Sequence, residues 1–315
     1  MSKLVSTRKG FGDGLLKLAR QRSDVFAFAA DTYRSFKMGP FVDEFPDRYF
    51  EFGIAEQNMM MSAAGMASTG KVIFVAAYSP FVSMRALEQL RTFIAYPNLN
   101  VKIAAGLGGL TGDTGGVTHQ GTEDLGIIRA IPNITLVCPA DAIAAEKYVE
   151  IAAEVEGPVY MRIGRGATPL VYNETQEFKL GKAVRVRDYG SDVTVIAVGP
   201  CLIESIRAAD RLKETGVNIR VLDMHTLKPL DRNSILEAAR ETGKIITIED
   251  GTINGGLGSA VSEVLAEEGI LHKGKPVRFK RLGLESFGSS GTLDELLKFY
   301  GLNADNLIKT VNNLL

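Results

Sequence analysis

The sequence predicts an α/β protein of two domains, each built on a parallel or mostly parallel sheet with helices on both faces. Three observations carry this prediction. Short β-branched or apolar runs alternate with helix-like stretches, the alternation fades in one polar stretch near the middle, and it then resumes. A chain of 315 residues, 45% of them apolar, also has the size of roughly two domains of about 150 residues each.

The first domain is predicted to span residues 1–170. Its strand candidates are residues 25–29, 49–52, 71–76, 101–105, 134–138 and 158–163. Its helix candidates are residues 8–21, 54–68, 80–95, 121–130 and 141–155. Asp141 stands where the last of these begins, in the position of a capping residue.

A linker is predicted at residues 171–190, because the periodicity is lost in a polar stretch marked by Pro and Gly. The second domain is predicted to span residues 191–315. Its strand candidates are residues 193–198, 218–223, 244–249 and 277–281. Its helix candidates are residues 201–216, 231–242 and 256–268, and a pair after Leu293.

Charge and composition narrow the class of partner. With 36 basic and 37 acidic residues the net charge is −1, which favours neither nucleic acid nor an anionic membrane. The two cysteines, Cys138 and Cys201, suggest no disulfide framework and no CxxC site. No apolar run is long enough for a signal peptide or a membrane span, so we expect a soluble, cytoplasmic protein.

Metal binding is not expected in this chain. Its only histidines are His119, His225 and His272, and no two of them share helical or turn spacing. A metal site based on histidine would therefore have to be assembled from distant segments.

The loops after the strands of the first domain carry the unusual polar residues. Open parallel sheets bind ligands at the carboxyl ends of their strands, so these loops are where chemistry is expected. The residues are Asp31 and Ser35, Glu56, Phe81, His119 and Arg165. Taken singly, each has an ordinary structural interpretation as a turn residue, a helix acid, a core aromatic, a buried imidazole or a surface cation. Their joint placement favours a site.

Glu56 is the most informative of these residues. It begins a helix whose other residues are nearly all Met, Ala, Ser and Gly, directly after a short apolar strand. Apolar surroundings disfavour a charged carboxylate, so this group is expected to share a proton with a partner.

A glycine-rich loop precedes His119. Residues 106–121, GLGGLTGDTGGVTHQG, include seven glycines, so the main chain is expected to approach a ligand closely. The loop matches neither the P-loop nor the dinucleotide fingerprint. A second glycine cluster, at residues 254–258, fails the same fingerprint and is expected to begin the helix near residue 256.

Several spaced motifs together resemble the transketolase and deoxyxylulose phosphate synthase family. In the first half they are Arg8, Asp31, GIAEQNM, YSPF, THQG followed by EDLGIIRAIPN, and CPAD. In the second half they are DMHTLKPLD, IED and NGGLGSAVSEVL. The likeness covers essentially the whole chain and corresponds to the pyrimidine-binding and C-terminal domains of the family.

The resemblance implies a thiamine-diphosphate-dependent transketolase that transfers a two-carbon ketol unit between sugar phosphates of the pentose phosphate pathway. The family's diphosphate-binding domain, with its GDG-type loop, has no counterpart in this sequence. A separate subunit is therefore expected to hold the diphosphate and Mg²⁺, in an α2β2 heterotetramer. The alternatives are a subunit of a deoxyxylulose-phosphate-synthase-like or 2-oxoacid dehydrogenase-type enzyme, and a non-catalytic regulatory partner.

The resemblance also implies residue roles. Glu56 would hydrogen-bond the cofactor's aminopyrimidine ring and activate it, Phe81 would stack on that ring, and Met84 and Leu87 would complete the apolar wall. Asp31 would lie near the cofactor, and His119 would contact donor oxygens as a catalytic residue. Arg8, Ser35 and Arg165 would bind the sugar phosphate, because a planar guanidinium suits phosphate oxygens. Arg162 is close in register, but Arg165 lies beyond the strand end and is preferred.

Two positions depart from the family pattern. Gly115 stands where familiar transketolases carry an acid that recognises a substrate hydroxyl, and Asp113 lies two positions earlier. Leu107 stands near a phosphate-contacting histidine of the family. Either the loop is shifted and Asp113 substitutes for the missing acid, or the substrate is not the usual pentose phosphate pair.

Overall fold

The computed structural model of the chain describes residues 3–315. Its sixteen strands are β1 Leu4–Ser6, β2 Val25–Ala29, β3 Tyr49–Glu51, β4 Val72–Tyr78, β5 Val101–Gly106, β6 Thr135–Val137, β7 Val159–Ile163, β8 Ala167–Pro169, β9 Val184–Asp188, β10 Thr194–Ala197, β11 Arg220–Asp223, β12 Thr226–Lys228, β13 Lys244–Thr252, β14 Leu271–His272, β15 Lys275–Pro276 and β16 Arg278–Leu284.

Ten α-helices accompany these strands. They are α1 Thr7–Gln21, α2 Gly39–Glu44, α3 Glu56–Ala67, α4 Asp124–Ala130, α5 Ala142–Glu154, α6 Cys201–Glu214, α7 Arg232–Thr242, α8 Leu257–Glu268, α9 Leu293–Phe299 and α10 Ala304–Leu314. Short 3₁₀ segments lie at Pro46–Arg48, Gly109–Gly115 and Val117–His119, and π-helical segments at Phe81–Arg85 and Gln89–Ala95.

Two sheets organise the molecule, and both are mostly parallel. The first has seven strands in the order β12-β6-β7-β5-β4-β2-β3, and only the β12–β6 pair is antiparallel. The second has five strands in the order β16-β13-β10-β11-β9, and only the β11–β9 pair is antiparallel. The predicted class, α/β with two mostly parallel sheets, is confirmed.

The first sheet is covered on both faces, as its apolar strands require. Along β4, Phe74 packs into the cluster that contains Phe11 and Leu15 of α1. Its neighbour Ile73 packs into the opposite cluster, which contains Met59 of α3. Successive side chains of a strand point to opposite faces, so a strand buried on both sides consists of apolar residues throughout.

The structure contains elements that the sequence did not predict, among them β1, α2 and β8. Three further differences concern the linker, the strands of the first sheet and the helix predicted at 80–95. The predicted linker contains β9, which pairs with β11 at the edge of the second sheet. Strand β12 comes from the second half of the chain but extends the first sheet. The predicted helix at 80–95 is wound largely as π-helix, in which the Ala86 N–H bonds to the Phe81 carbonyl five residues earlier, at 2.9 Å.

Candidate active site

Five neighbouring parallel strands end at one edge of the first sheet. In spatial order they are β7, β5, β4, β2 and β3. The loops that follow them carry the predicted residues Arg165, His119, Phe81, Asp31 with Ser35, and Glu56. The carboxyl edge of a parallel sheet is where α/β proteins bind ligands.

A cation-rich cavity of about 480 Å³ opens at this edge, and we call it the anion cavity. Its lining residues are Arg8, Ser35, Lys37, Tyr78, Leu107, Gly115, His119 and Arg165. Three of these side chains are permanent cations at neutral pH and none is a carboxylate. The cavity therefore favours an anionic group.

Arg8 is the best anchored cation of the anion cavity. It donates from Nη1 to Ser35 Oγ, and from Nη2 to the Arg165 carbonyl at 2.9 Å. The Tyr78 hydroxyl also donates to Ser35 Oγ, at 3.2 Å. Burial lowers the pKa of Arg8, and the positive charge of Arg165 lowers it further. An anion in the cavity would offset the free-energy cost of keeping the Arg8 guanidinium charged there, because it supplies a countercharge.

Glu56 is a buried acid with one side-chain partner, and it connects to the anion cavity through Arg85, Phe81 and His119. Its side chain is 2% exposed, and its Oε2 accepts a hydrogen bond from Arg85 Nη1 at 2.8 Å. The guanidinium of Arg85 lies over the Phe81 ring, with Cζ 4.1 Å from the ring centroid. We call the position between the Glu56 carboxylate and the Phe81 ring, which the Arg85 guanidinium occupies, the Glu56 slot. The surroundings of Glu56 are less apolar than the sequence suggested.

His119 lies between the anion cavity and the Glu56 slot. Its ring meets the Phe81 ring edge to face at a centroid distance of 5.5 Å, and the Tyr78 ring at 5.9 Å. Its Nδ1 is 3.0 Å from Thr118 Oγ1. An imidazole in this position can exchange a proton with a ligand that spans the two spaces.

Four residues with predicted roles lie outside this arrangement. Asp31 is exposed, at the start of the loop after β2, and does not line the anion cavity. Met84 is 42% exposed, and Leu87 packs against the core. Asp113 lines a different cavity, with Thr292 and Arg207, whereas Gly115 lines the anion cavity. The structure therefore gives no support to a shift of the loop that would let Asp113 take the place of the missing acid.

The structure also brings in residues that the sequence did not single out. Lys37 lines the anion cavity, and Arg85 lies in the Glu56 slot. Glu51 organises the loop before α3, since its Oε1 accepts from the backbone N–H groups of Asp31, Phe52 and Gly53 at 2.7, 3.1 and 3.0 Å. Three backbone donors near one acid are not visible in a sequence.

Arg162 forms its two ion pairs inside the protein, away from the anion cavity. Its Nε donates to Asp124 at 3.0 Å, and its Nη1 donates to Asp250 Oδ1 at 2.6 Å. All three side chains are almost completely buried. Arg165, three residues later, lines the anion cavity.

The glycines of residues 106–121 serve internal packing more than ligand contact. A Cβ at Gly108 would overlap the Arg162 side chain, and a Cβ at Gly121 would overlap Ser79 Oγ. Only Gly115 and Leu107 of this loop line the anion cavity together with His119. The expectation that this loop approaches a ligand through its main chain stays a prediction, and Leu107 and Gly115 are the positions at the anion cavity to which it applies.

Two features are absent from the described part of the chain. Within residues 3–315, no group of three or more His, Cys, Asp or Glu side chains is placed to hold a metal ion. None of the helices in the same range is both long and apolar enough to pass through a bilayer.

Comparison with known proteins places this geometry in a family. The model of the transketolase pyrimidine-binding domain matches residues 3–170, and that of the transketolase C-terminal domain matches residues 181–307. A transketolase C-terminal section from Methanocaldococcus jannaschii is 40% identical, with 96% of this chain and 94% of that protein covered. A subunit of the apulose-4-phosphate transketolase of Phocaeicola vulgatus is 39% identical, with 98% and 96% covered.

One solved structure is similar over nearly its full length. It is described as a split gene transketolase in the form of an inactive β4 tetramer. It is 39% identical and superimposes with a TM-score of 0.90, and 98% of each chain is covered.

Proposed function

This chain belongs to the transketolase family, and from that premise we propose that it supplies the pyrimidine-binding half of a thiamine-diphosphate-dependent transketolase whose other half is a separate polypeptide. The names of its near full-length relatives support the split, because one is called a C-terminal section and the other is called a subunit. We further propose that the companion holds the diphosphate and Mg²⁺, and that two copies of each chain assemble.

The observation that carries the proposal is the content of the Glu56 slot. A flat N–H donor, the Arg85 guanidinium, lies on the Phe81 face and donates to the buried carboxylate of Glu56. An aminopyrimidine is likewise flat and polar at its edge. This likeness supports the proposal that the slot takes the ring end of thiamine diphosphate, with Phe81 for stacking and Glu56 for the ring nitrogen.

The chemistry divides between the cofactor and the chain. When bound, thiamine diphosphate supplies the electron sink that allows a two-carbon unit to leave a ketose and join an aldose. Glu56 would hold a proton at a nitrogen of the ring, and its burial would keep water from competing for that proton. His119 is placed to hold or donate a proton at a substrate oxygen. Arg8, Ser35 and Arg165 would orient the substrate through its phosphate.

The lining of the anion cavity bears on the choice of substrate. Leu107 and Gly115 both line it, and neither can hydrogen-bond through its side chain. We therefore propose a sugar phosphate other than the usual pentose phosphate pair of familiar transketolases. The apulose 4-phosphate in the name of one relative is a substrate of that kind.

Three alternatives have less support. The matched domain models and the split relatives favour a transketolase over a deoxyxylulose-phosphate-synthase-like or 2-oxoacid dehydrogenase-type enzyme. A regulatory partner without catalytic function would have no use for a buried acid beside an aromatic face.

The proposal is tested by replacing Glu56 with Gln in the complex of this chain with its companion. We expect the kcat of ketol transfer to fall on the order of 10²-fold or more, because an amide cannot share the proton of the ring nitrogen. Glu88→Gln, an exposed change in the next helical segment, is the matched control and should retain full activity. Near-normal turnover of Glu56→Gln, or robust activity of this chain without any companion, would refute the proposal.

A further inference from the structure

One side chain occupies both halves of the Glu56 slot. Arg85 pairs with Glu56 at 2.8 Å and covers the Phe81 ring with its Cζ 4.1 Å from the centroid. These are the two contacts proposed for the aminopyrimidine ring. A guanidinium and an aromatic ring cannot lie on the same face of Phe81 at the same time, so binding of the ring requires Arg85 to leave.

Glu56 would have a hydrogen-bond donor both before and after the ring replaces Arg85. A buried carboxylate without a partner is costly, so the acid needs a donor in the free chain as well as in the bound one. Arg85 provides that donor while the slot has no ring, and the ring would provide it afterwards. The acid keeps a partner in both states.

The position of Arg85 permits such a movement. Its side chain is 45% exposed, so the guanidinium can turn outward into water without unpacking the core. Its backbone is held in place, since Gln57 Nε2 donates to the Arg85 carbonyl at 3.1 Å. Arg85 and Phe81 lie on the same π-helical segment, so no element has to move relative to another. A change of the Arg85 side-chain rotamer is enough to take the guanidinium off the Phe81 ring.

We propose that Arg85 is a displaceable placeholder that closes the Glu56 slot in the free chain and lowers its affinity for the aminopyrimidine ring. The inference rests on the proposed function of this slot. If the open arrangement is populated at about one part in ten, the apparent dissociation constant for the ring is about tenfold higher than that of a slot without the placeholder. Arg85 is thus an affinity-determining residue of the cofactor site.

The test measures binding of a neutral aminopyrimidine to the full chain. The probe is 4-amino-5-hydroxymethyl-2-methylpyrimidine, which is mainly uncharged at pH 7.5. The loss of a positive charge from the protein therefore does not change its binding through long-range electrostatics. Titrations followed by saturation-transfer NMR give dissociation constants even in the millimolar range. The proteins compared are wild type, Arg85→Ala, Arg85→Lys and Arg91→Ala.

We expect Arg85→Ala to bind the probe about tenfold more tightly than wild type. Arg85→Lys should be intermediate, because an ammonium can pair with Glu56 but cannot lie flat on Phe81. Arg91→Ala removes an equal charge from an exposed residue of the next helical segment and should bind like wild type. Unchanged or weaker binding by both Arg85 variants overturns the placeholder.

A further variant separates this inference from the function on which it rests. Phe81→Ala should lose binding, because it removes the stacking face. If wild type binds the probe and Phe81→Ala does not, while both Arg85 variants match wild type, the placeholder role of Arg85 is wrong and the proposed pyrimidine site stands. If none of the proteins binds the probe, the proposed pyrimidine site and the placeholder are both wrong.

Discussion

At the scale of single residues, Lys37 is held in a conformation that lysine disfavours. Its φ is +60°, in the left-handed region, which costs about 1 kcal/mol or more for a residue with a Cβ. Its neighbours Phe36 and Met38 are completely buried and fix the loop on either side. The Lys37 side chain itself lines the anion cavity and joins no ion pair within residues 3–315. A strained cation beside an anion-binding cavity is the ground for a hypothesis of function.

We predict that Lys37→Ala weakens binding of a phosphorylated substrate. The KM for that substrate should rise about tenfold with kcat within about twofold, because one charge-assisted contact to phosphate is lost while the Glu56 slot is untouched. Alanine is strained at the same φ, so the change isolates the cation. The measurement is steady-state kinetics of the assembled enzyme with phosphorylated and unphosphorylated aldoses.

The control for this prediction is Arg34→Ala on the same loop. Arg34 is exposed, donates to its neighbour Tyr33 at 2.9 Å and does not line the anion cavity. Its removal should leave both kinetic constants unchanged. An equal rise in KM for the unphosphorylated aldose in Lys37→Ala would contradict a role in phosphate binding.

Sequence reasoning found part of the site at this scale. Ser35, Phe81 and Arg165 could be selected because each follows a strand, and strand ends converge in a parallel sheet. Lys37 and Arg85 could not, because their roles depend on a left-handed φ and on a π-helical turn. Neither feature has a local sequence pattern that distinguishes it from an ordinary loop or helix.

At the scale of elements, the N-terminus of helix α8 is capped by an acid of a neighbouring strand. Glu249 of β13 accepts hydrogen bonds from the N–H groups of Leu257 and Gly258 at 2.9 and 2.8 Å. A Cβ at Gly256 would overlap its carboxylate, which explains the glycine at that position. Burial raises the pKa of Glu249 to about 7, although the two N–H groups oppose the rise.

We predict that Glu249→Ala lowers the free energy of unfolding of the protein by about 3 kcal/mol, because two helix N–H groups lose their acceptor inside the protein. Chemical unfolding at pH 7 measures the loss. Glu263→Ala, in the same helix, is the control: its 54%-exposed side chain pairs with Arg129, and its removal should cost at most about 1 kcal/mol. Equal losses in the two variants would contradict the capping role.

The elements themselves were predictable to different degrees. Strand β2 and helix α1 follow from apolar periodicity, and the start of α8 follows from its glycines. Strand β9 was missed because it is half-exposed and is stabilised by pairing with β11, which periodicity does not report. The π-helical winding near Phe81 was not predicted, because the sequence pattern there is that of an ordinary helix.

At the scale of the whole molecule, the two sheet domains share structure. Strand β12 leaves the second domain and pairs with β6 of the first sheet. The buried Arg162 binds Asp124 of the first domain and Asp250 of the second. Sequence reasoning predicted two domains joined by a linker and no strand shared between them, because pairing between distant segments leaves no periodic signal. The proposed site is therefore carried by a scaffold to which both domains contribute.

A buried polar cluster lies where the two domains and their connection meet. Asp223 of β11 accepts a hydrogen bond from Tyr172 at 2.6 Å, and His225 bonds to Tyr148 of α5. Desolvation raises the pKa of Asp223 to about 7 against the effect of the Tyr172 hydrogen bond, and Asp141 adds to the rise. Burial lowers the pKa of His225 to about 4.

The raised pKa of Asp223 makes stability depend on pH. In the unfolded chain this carboxyl loses its proton near pH 4, whereas in the folded chain it keeps the proton up to about pH 7. Its contribution to stability is therefore complete below about pH 4 and is lost as the pH rises to about 7. The effect of His225 has the opposite sign, because its folded pKa is lowered.

We predict that Asp223→Asn removes this loss, because an amide stays neutral at every pH and its oxygen can still accept from Tyr172. Relative to wild type, the free energy of unfolding of the variant should increase by about 2–4 kcal/mol between pH 4.5 and pH 8. Urea unfolding of both proteins at the two pH values measures the difference, and the contribution of His225, common to both, cancels. A difference that stays constant with pH would show that Asp223 is already ionised in the folded protein at pH 4.5, so that the joint between the domains contains a buried charge.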